Sequence, residues 1–158
     1  MSEINIIEAD LSDPEHAEAI LTITNTYAAG PMGMEEEMDE EVKKHLIREM
    51  SLFPLTICFL AFEDGKAVGV ANCFYGFSTF NARKLINIHD LAVMPEMRGK
   101  GIGQKLLEAV EEKAIETECC KVTLEVREDN RAKNLYERMG FSYGDPVMYF
   151  MTKELDEQ

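Results

Sequence analysis

The chain has 158 residues, 46% of them hydrophobic, and it carries 16 Lys and Arg against 30 Asp and Glu, for a net charge of −14. This length and apolar content predict one globular domain with a sizeable core, and the charge disfavours nucleic acid and anionic membranes as partners. The apolar runs are too short to span a bilayer and the first residues lack a secretion signal, so a cytoplasmic protein is expected. The excess of acid either favours a cationic substrate or serves solubility alone.

Cysteine and histidine spacing predicts no metal site. The four cysteines show no C-x-x-C pattern, and the three histidines are far apart in the sequence. Cys58 and Cys73 lie inside apolar runs, which is typical of small core residues.

The first third of the chain predicts one strand and two helices. Ile4–Glu8 has the apolar composition of a strand, and Asp13–Pro14 is a helix-start signature whose helix ends at Gly30–Pro31. The acidic run Met34–Glu41 predicts either the solvated start of a second helix or an acidic rim that attracts an amine substrate. That second helix is expected to end before Pro54.

Three strands are predicted next. Leu55–Phe62 and Ala67–Phe77 flank the turn sequence Glu63–Lys66 and so predict a hairpin. A longer loop containing aromatic residues then leads to Ile86–Val93, whose β-branched residues predict a largely buried strand.

The last part of the chain predicts two helices and the closing strands. Apolar residues at helical spacing predict a helix from Ile102, and Lys121–Arg127 alternates as a strand. A short helix is predicted over Asn130–Met139, after which Phe141 and Val147–Thr152 are expected to close the sheet. This order predicts an α/β (α+β) domain with a mixed, largely antiparallel sheet.

A glycine-rich turn joins the buried strand to the helix from Ile102. Its sequence is Arg98-Gly99-Lys100-Gly101-Ile102-Gly103, and glycine lets an anion approach the main chain closely while the helix start adds unpaired N–H donors. A Walker A loop is excluded because Gly101 stands where Ser or Thr is needed, and a Rossmann turn because Leu106 replaces the third glycine. The turn therefore predicts a phosphate site, the alternative being a glycine turn without a ligand.

This turn, together with a preceding strand that ends Leu91-Ala92-Val93, resembles the acyl-CoA pyrophosphate loop of the GNAT superfamily of N-acyltransferases. A second motif, from Asn130 to Phe141, resembles the family pattern N-x-x-A-x-x-L-Y-x-x-x-G-F at Tyr136, Gly140 and Phe141. The family asparagine usually stands seven before the tyrosine, where this chain has Asp129, with Asn130 one later. Either residue is therefore a candidate cofactor contact.

The resemblance extends in layout over nearly the whole chain, with its specific motifs between His89 and Phe141. It implies a single GNAT domain over residues 1–158, with a sheet of six to seven strands flanked by helices on both faces. It also implies acetyl-CoA as co-substrate. The residues that the resemblance assigns to acetyl-CoA are Leu91, Ala92, Val93, Arg98, Gly99, Lys100, Gly101, Ile102, Gly103, Gln104, Asn130, Asn134 and Tyr136.

Tyr136 and His89 are the candidate catalytic residues. A phenol titrates near ~10 and a thiol near ~8.5, so Tyr136 is a candidate acid for the departing CoA thiolate, the alternative being a tyrosine that packs on the last strand. His89 resembles the catalytic histidine of arylalkylamine acetyltransferases and would accept a proton from the amine, unless it is structural. Strand alternation places Asp90 on the opposite face, where it would anchor a cationic substrate; Tyr75 and Phe80 are weaker candidates for the acceptor pocket.

We therefore expect an N-acetyltransferase in which the amine attacks acetyl-CoA directly in a ternary complex, with a small aliphatic amine or polyamine as acceptor. No cysteine lies in either motif to act as an acyl carrier. The alternatives are a protein or peptide N-acetyltransferase and a non-catalytic acyl-CoA-binding regulatory module. Because family members often dimerise, the resemblance also implies a homodimer.

Overall fold

The computed structural model describes residues 2–156, and their chain divides into two compact units. The first unit ends at Leu124 and the second begins at Glu125. Whether the whole chain acts as a single domain stays a prediction.

The first unit contains the sheet and three of the helices. Its elements, in chain order, are β1 (Ile4–Glu8), α1 (Pro14–Ala29), α2 (Glu40–Leu52), β2 (Thr56–Glu63), β3 (Lys66–Ser78), β4 (Arg83–Val93), a 3₁₀ turn (Pro95–Met97), α3 (Ile102–Glu116) and β5 (Val122–Leu124). The second unit contains α4 (Ala132–Arg138). Among the described residues, no helix combines the length and the apolar character needed to cross a membrane.

The five strands form one mixed sheet in the order β1-β2-β3-β4-β5. The first four pair antiparallel in sequence, and β5 pairs parallel with β4. The sequence therefore predicted the mixed, largely antiparallel character correctly.

The expectation of six to seven strands is wrong. Val147–Thr152 has no strand structure, and its side chains from Val147 to Met151 are mostly exposed. A strand needs a neighbouring backbone as well as suitable side chains. The structure gives this segment no such neighbour among residues 2–156. β5 also ends at Leu124, three residues earlier than predicted.

Helices cover both faces of the sheet. Val70 of β3 packs in one cluster with Ile20 and Ile23 of α1. The neighbouring Gly69 points to the other face, where a Cβ would lie 3.1 Å from side-chain carbons of Ile102 and Leu106 in α3. Because successive strand residues point to opposite faces of a sheet, α1 and α3 lie on opposite sides of β3.

The predicted helix start at Asp13–Pro14 is confirmed. The Asp13 carboxylate accepts the Glu15 N–H at 2.9 Å, and Pro14 occupies the first helical position. This cap fixes where α1 begins and therefore which of its side chains meet the sheet.

Candidate functional site

The glycine turn before α3 has the backbone conformation that its sequence predicts. Gly99 and Gly101 both have φ of +79°, a region that residues with a Cβ rarely adopt. A Cβ built on either glycine would meet nothing within 4 Å. The positive φ angle therefore requires glycine at these two positions, and steric contact with neighbouring atoms does not. The space beside the turn is open to a ligand.

The first turn of α3 presents unpaired donors to that open space. Its first backbone hydrogen bond runs from the Lys105 N–H to the Gly101 carbonyl, so the amides of the residues between them precede the helical ladder. The N-cap residue, Gly101, has no side chain with which to cap the helix, and the first turn holds no acidic residue. These N–H groups and the positive end of the helix dipole form a seat for an anion.

Three exposed cations surround the turn: Arg98, Lys100 and Lys105. Among the ion pairs of the described residues, none involves these three side chains. Lys100 contacts the Met97 sulfur at 3.7 Å instead. In a chain of net charge −14, this local positive charge favours an anion at the turn. The predicted contact Gln104 donates its amide to Glu108 at 3.0 Å, so its side chain follows the helix.

The end of β4 has one open edge. Pairing with β5 stops at Ile88 and Leu124, so the strand beyond that point pairs only with β3 among the described residues. The Met94 N–H donates to Val68 of β3. By alternation, the main-chain groups of Leu91 and Val93 point away from β3, and those of Ala92 point toward it. Two of the three predicted positions thus offer free main-chain groups at the open edge.

A β-bulge in β4 changes the predicted arrangement of His89 and Asp90. Asn72 of β3 pairs with Asp90, and Cys73 pairs with Ile88, so His89 is the extra residue. The His89 ring lies 6.0 Å from the Phe74 ring, and Asp90 accepts a hydrogen bond from Asn72. Asn72 and Phe74 are two apart on one face of β3, so His89 and Asp90 share that face. The expectation that they point to opposite faces is wrong.

The shared face is the one that α1 covers, because Asn72 also bonds Thr24 of α1. His89 is exposed there, while Asp90 is half-buried. The structure thus places a basic ring and a carboxylate side by side, next to the open edge of β4.

Sequence reasoning missed Asn72 and Thr24, which hold this carboxylate. Asn72 is 2% exposed and donates to Thr24 at 2.9 Å and to Asp90 at 3.0 Å. The available signal was an asparagine inside the apolar run of β3, because a buried amide requires partners. No sequence pattern pointed to Thr24, because the position of a residue in a helix does not show which strand residue it will contact in the folded protein.

Tyr75 and Phe80 do not join His89 and Asp90. Tyr75 follows Phe74 in β3 and so points to the opposite face, where it lines a cavity with Lys113 of α3 and Thr117, the residue that follows this helix. Phe80 is fully exposed in the turn after β3. Neither side chain is placed to line an acceptor pocket on the face of His89. Tyr75 lies on the opposite face of the sheet, and Phe80 is exposed to solvent.

The second unit holds the remaining predicted residues. Tyr136 is 8% exposed, and its ring packs edge-on against Phe141 at 5.9 Å. The Asn130 side chain accepts the N–H of Ala132, the first residue of α4, at 2.9 Å, and Asn134 is exposed on that helix. Two hydrogen bonds from Arg127 lower the pKa of the Asp129 carboxyl. The Asp129 carboxylate is thus hydrogen-bonded to Arg127, and the Asn130 side-chain oxygen is hydrogen-bonded to the first amide of α4.

The buried thiols are poor nucleophiles. Burial raises the pKa of Cys58 to about 12 and raises that of Cys73 further. Since the thiolate is the reactive form, neither residue suits an acyl-carrier role. The described residues also contain no cluster of three or more His, Cys, Asp or Glu side chains able to hold a metal ion.

We expect a thiol reagent at pH 8 to modify Cys119 and Cys120 of the native protein, which are partly exposed, and to reach Cys58 and Cys73 only after denaturation. Absorbance of the released chromophore measures the number of reactive thiols. The double variant Cys119→Ser/Cys120→Ser is the control, and rapid labelling of that folded variant would contradict the prediction.

Comparison with known proteins gives the family. A sequence model of the Acetyltransferase (GNAT) family matches residues 20–141. The chain is similar to the N-alpha-acetyltransferase MAK3 of Arabidopsis thaliana, with 34% identity over 101 residues, 63% of this chain and 52% of that protein. It is also similar to the thialysine N-epsilon-acetyltransferase of Bos taurus, with 38% identity over 74 residues, 46% of this chain and 43% of that protein.

A solved structure supports the same fold. The aminoglycoside N-acetyltransferase AAC(6')-Iy, in complex with CoA, superposes with a TM-score of 0.77 at 16% identity, covering 97% of each chain.

Proposed function

We propose that this chain, which belongs to the GNAT acetyltransferase family and is an acetyl-CoA-dependent N-acetyltransferase, uses a small aliphatic amine or polyamine as its acceptor. The observation that carries this proposal is the pair His89 and Asp90 on one face of β4, beside the strand's open edge. An amine acceptor arrives as an ammonium ion. It needs a carboxylate to bind its charge and a base to remove a proton, and this pair supplies both.

Acetyl-CoA would bind along the glycine turn and the open edge of β4. The turn at Gly99 and Gly101 and the start of α3 would hold the pyrophosphate. The free amides of Leu91 and Val93 would bind the acyl arm and stabilise negative charge on the thioester oxygen. Asn134 and either Asn130 or Asp129 are further proposed contacts of acetyl-CoA. Asn130 or Asp129 could bind the cofactor only after its side chain releases its present hydrogen bond.

The transfer itself needs two proton movements. His89 accepts one proton from the ammonium, and the amine nitrogen then bonds to the acetyl carbon as the carbon–sulfur bond breaks. Tyr136 donates a proton to the CoA thiolate and is restored by the second proton of the attacking nitrogen. The products are an amide, the CoA thiol and one proton, with no covalent enzyme intermediate.

The similarity to a thialysine acetyltransferase supports a small amine acceptor, because thialysine carries a side-chain amine. The similarity to MAK3, an N-alpha-acetyltransferase, supports a second candidate, a protein or peptide N-terminus. Each relative is matched over about half of its own length.

The experiment that tests the proposal is a thiol-release assay with acetyl-CoA and a panel of acceptors. The panel contains polyamines, lysine-like amino acids, aminoglycosides and short peptides, and mass spectrometry confirms each acetylated product. We expect turnover with polyamines or lysine-like amines. Turnover with peptides alone would replace the proposal with the second candidate.

Three further features belong to this proposal: one functional domain, a cytoplasmic location and a homodimer. The family match spans both compact units, and the four cysteines are free thiols, as is usual in reducing compartments. The exposed apolar side chains from Val147 to Met151 are the kind of surface that a second copy would cover. Sedimentation equilibrium tests the dimer, and fractionation of the native host's cells tests the location.

A further inference from the structure

Asn72 is a buried polar residue in the middle of a strand that is otherwise apolar at this depth. Ala71 and Cys73 on either side of it are fully buried, and Asn72 itself is 2% exposed. Burying an amide is unfavourable unless its donors and acceptor find partners. The partners of Asn72 therefore indicate what this residue does.

Each polar atom of the Asn72 amide has a partner. Its nitrogen donates to the Thr24 hydroxyl at 2.9 Å and to Asp90 Oδ2 at 3.0 Å, and its oxygen accepts from the Cys58 thiol at 3.4 Å. Both N–H groups are used, so the amide cannot turn without losing two bonds. The amide is thus fixed between α1, β2 and β4.

Asp90 depends on that amide. Among residues 2–156, the ion pairs include no cation within 4 Å of its carboxylate. Asn72 is its one side-chain hydrogen-bond donor within the same described residues. A half-buried carboxylate without a cation is suited to receive one. One oxygen of Asp90 is therefore held, and the other is available to a ligand.

We infer that Asn72 is a positioning residue, which, together with Thr24, holds the Asp90 carboxylate in the orientation that binds the ammonium group of the acceptor. This inference rests on the proposed function and extends it to two residues that act through Asp90. The bulge at His89 is part of the same arrangement, because it brings Asp90 onto the face of Asn72.

The first test replaces Asn72 by leucine, which has a similar volume and no donor. We expect the KM for the amine to rise about tenfold, since a hydrogen bond to a charged group is lost. The KM for acetyl-CoA should change less than twofold, because the glycine turn is untouched. Thr24→Val removes the hydroxyl that accepts a hydrogen bond from Asn72, and we expect the KM for the amine to rise about threefold. If Asn72→Leu does not fold, Thr24→Val carries the test.

The matched control is Asn87→Leu. Asn87 makes the same kind of cross-strand bond, donating to the Thr123 hydroxyl at 3.0 Å, and it has no hydrogen bond to Asp90. Replacing Asn87 should also lower the melting temperature, because a cross-strand bond is lost, but it should leave the amine KM unchanged. An equal rise of amine KM in both variants would mean that the Asn72 effect is merely structural and would overturn the inference.

A double-mutant cycle with Asp90→Asn gives the decisive readout. If Asn72 acts through Asp90, Asn72→Leu should add little to the amine KM of Asp90→Asn. Additive effects, or an unchanged amine KM in the folded Asn72→Leu and Thr24→Val variants, would overturn the inference and leave the proposed function standing. If the wild-type enzyme acetylated none of the small amines, the proposed acceptor would fail and this inference would fail with it.

Discussion

Replacing Tyr136 by phenylalanine is expected to lower kcat by about a hundredfold or more, the usual contribution of a positioned general acid. The change removes one oxygen and keeps the ring, which is 8% exposed and packs edge-on against Phe141. The second unit should therefore stay folded. Acetyl-CoA affinity should be nearly unchanged, because the pyrophosphate would be bound by the glycine turn. Steady-state kinetics with the best amine, together with calorimetry of CoA binding, separate the two quantities.

Tyr143→Phe is the matched control for this variant. Tyr143 lies in the same unit and is half exposed, and its hydroxyl contacts Glu137 at a weak 3.4 Å. Its loss should leave kcat within twofold of the wild type. Equal turnover in the Tyr136→Phe and wild-type enzymes would remove Tyr136 from the proton transfer.

Replacing Gly101 by valine is expected to weaken CoA binding by about a hundredfold, since two or more hydrogen bonds to charged phosphate oxygens would be lost. Gly101 has φ of +79° and open space where its Cβ would stand. The valine side chain would project into the space that the pyrophosphate would occupy. Calorimetry with CoA measures the loss directly, without the need for an acceptor.

Gly65→Val separates this effect from backbone strain. Gly65, in the β2–β3 turn, has φ of +77° and likewise no atom within 4 Å of a Cβ. Both substitutions should cost a similar amount of stability, on the order of 1–3 kcal/mol for strained backbone, which thermal melts measure. The CoA affinity should fall only in Gly101→Val. Equal affinity in the two variants would exclude the turn as the pyrophosphate site.

Local signals predicted much of the fold. The Asp13–Pro14 cap, the turn at Glu63–Lys66 and the helix from Ile102 are all where the sequence placed them, because capping and turn chemistry act within a few residues. The glycine turn was predictable for the same reason, since φ near +79° favours glycine. These features locate the proposed cofactor site without any knowledge of the tertiary structure.

Features that depend on a partner strand could not be read in the same way. The bulge at His89 arises from the register between β3 and β4, and nothing in the local sequence distinguishes it from a regular strand. Val147–Thr152 has strand composition, but composition does not supply a neighbouring backbone. The link from Thr24 through Asn72 to Asp90 likewise joins positions far apart in the chain.

The extra residue in β4 also determines which deletions the strand tolerates. Removing His89 would restore a strict two-residue repeat. Ile88 and Asp90 would then be neighbours, still opposite Cys73 and Asn72, so the pairing of Arg83–Ile88 with β3 and with β5 would keep its register. The buried Ile86 and Ile88 would stay on their present face. A single-codon loss here should therefore leave the fold intact while removing the proposed base, whereas the loss of a paired residue elsewhere in the strand would shift the register.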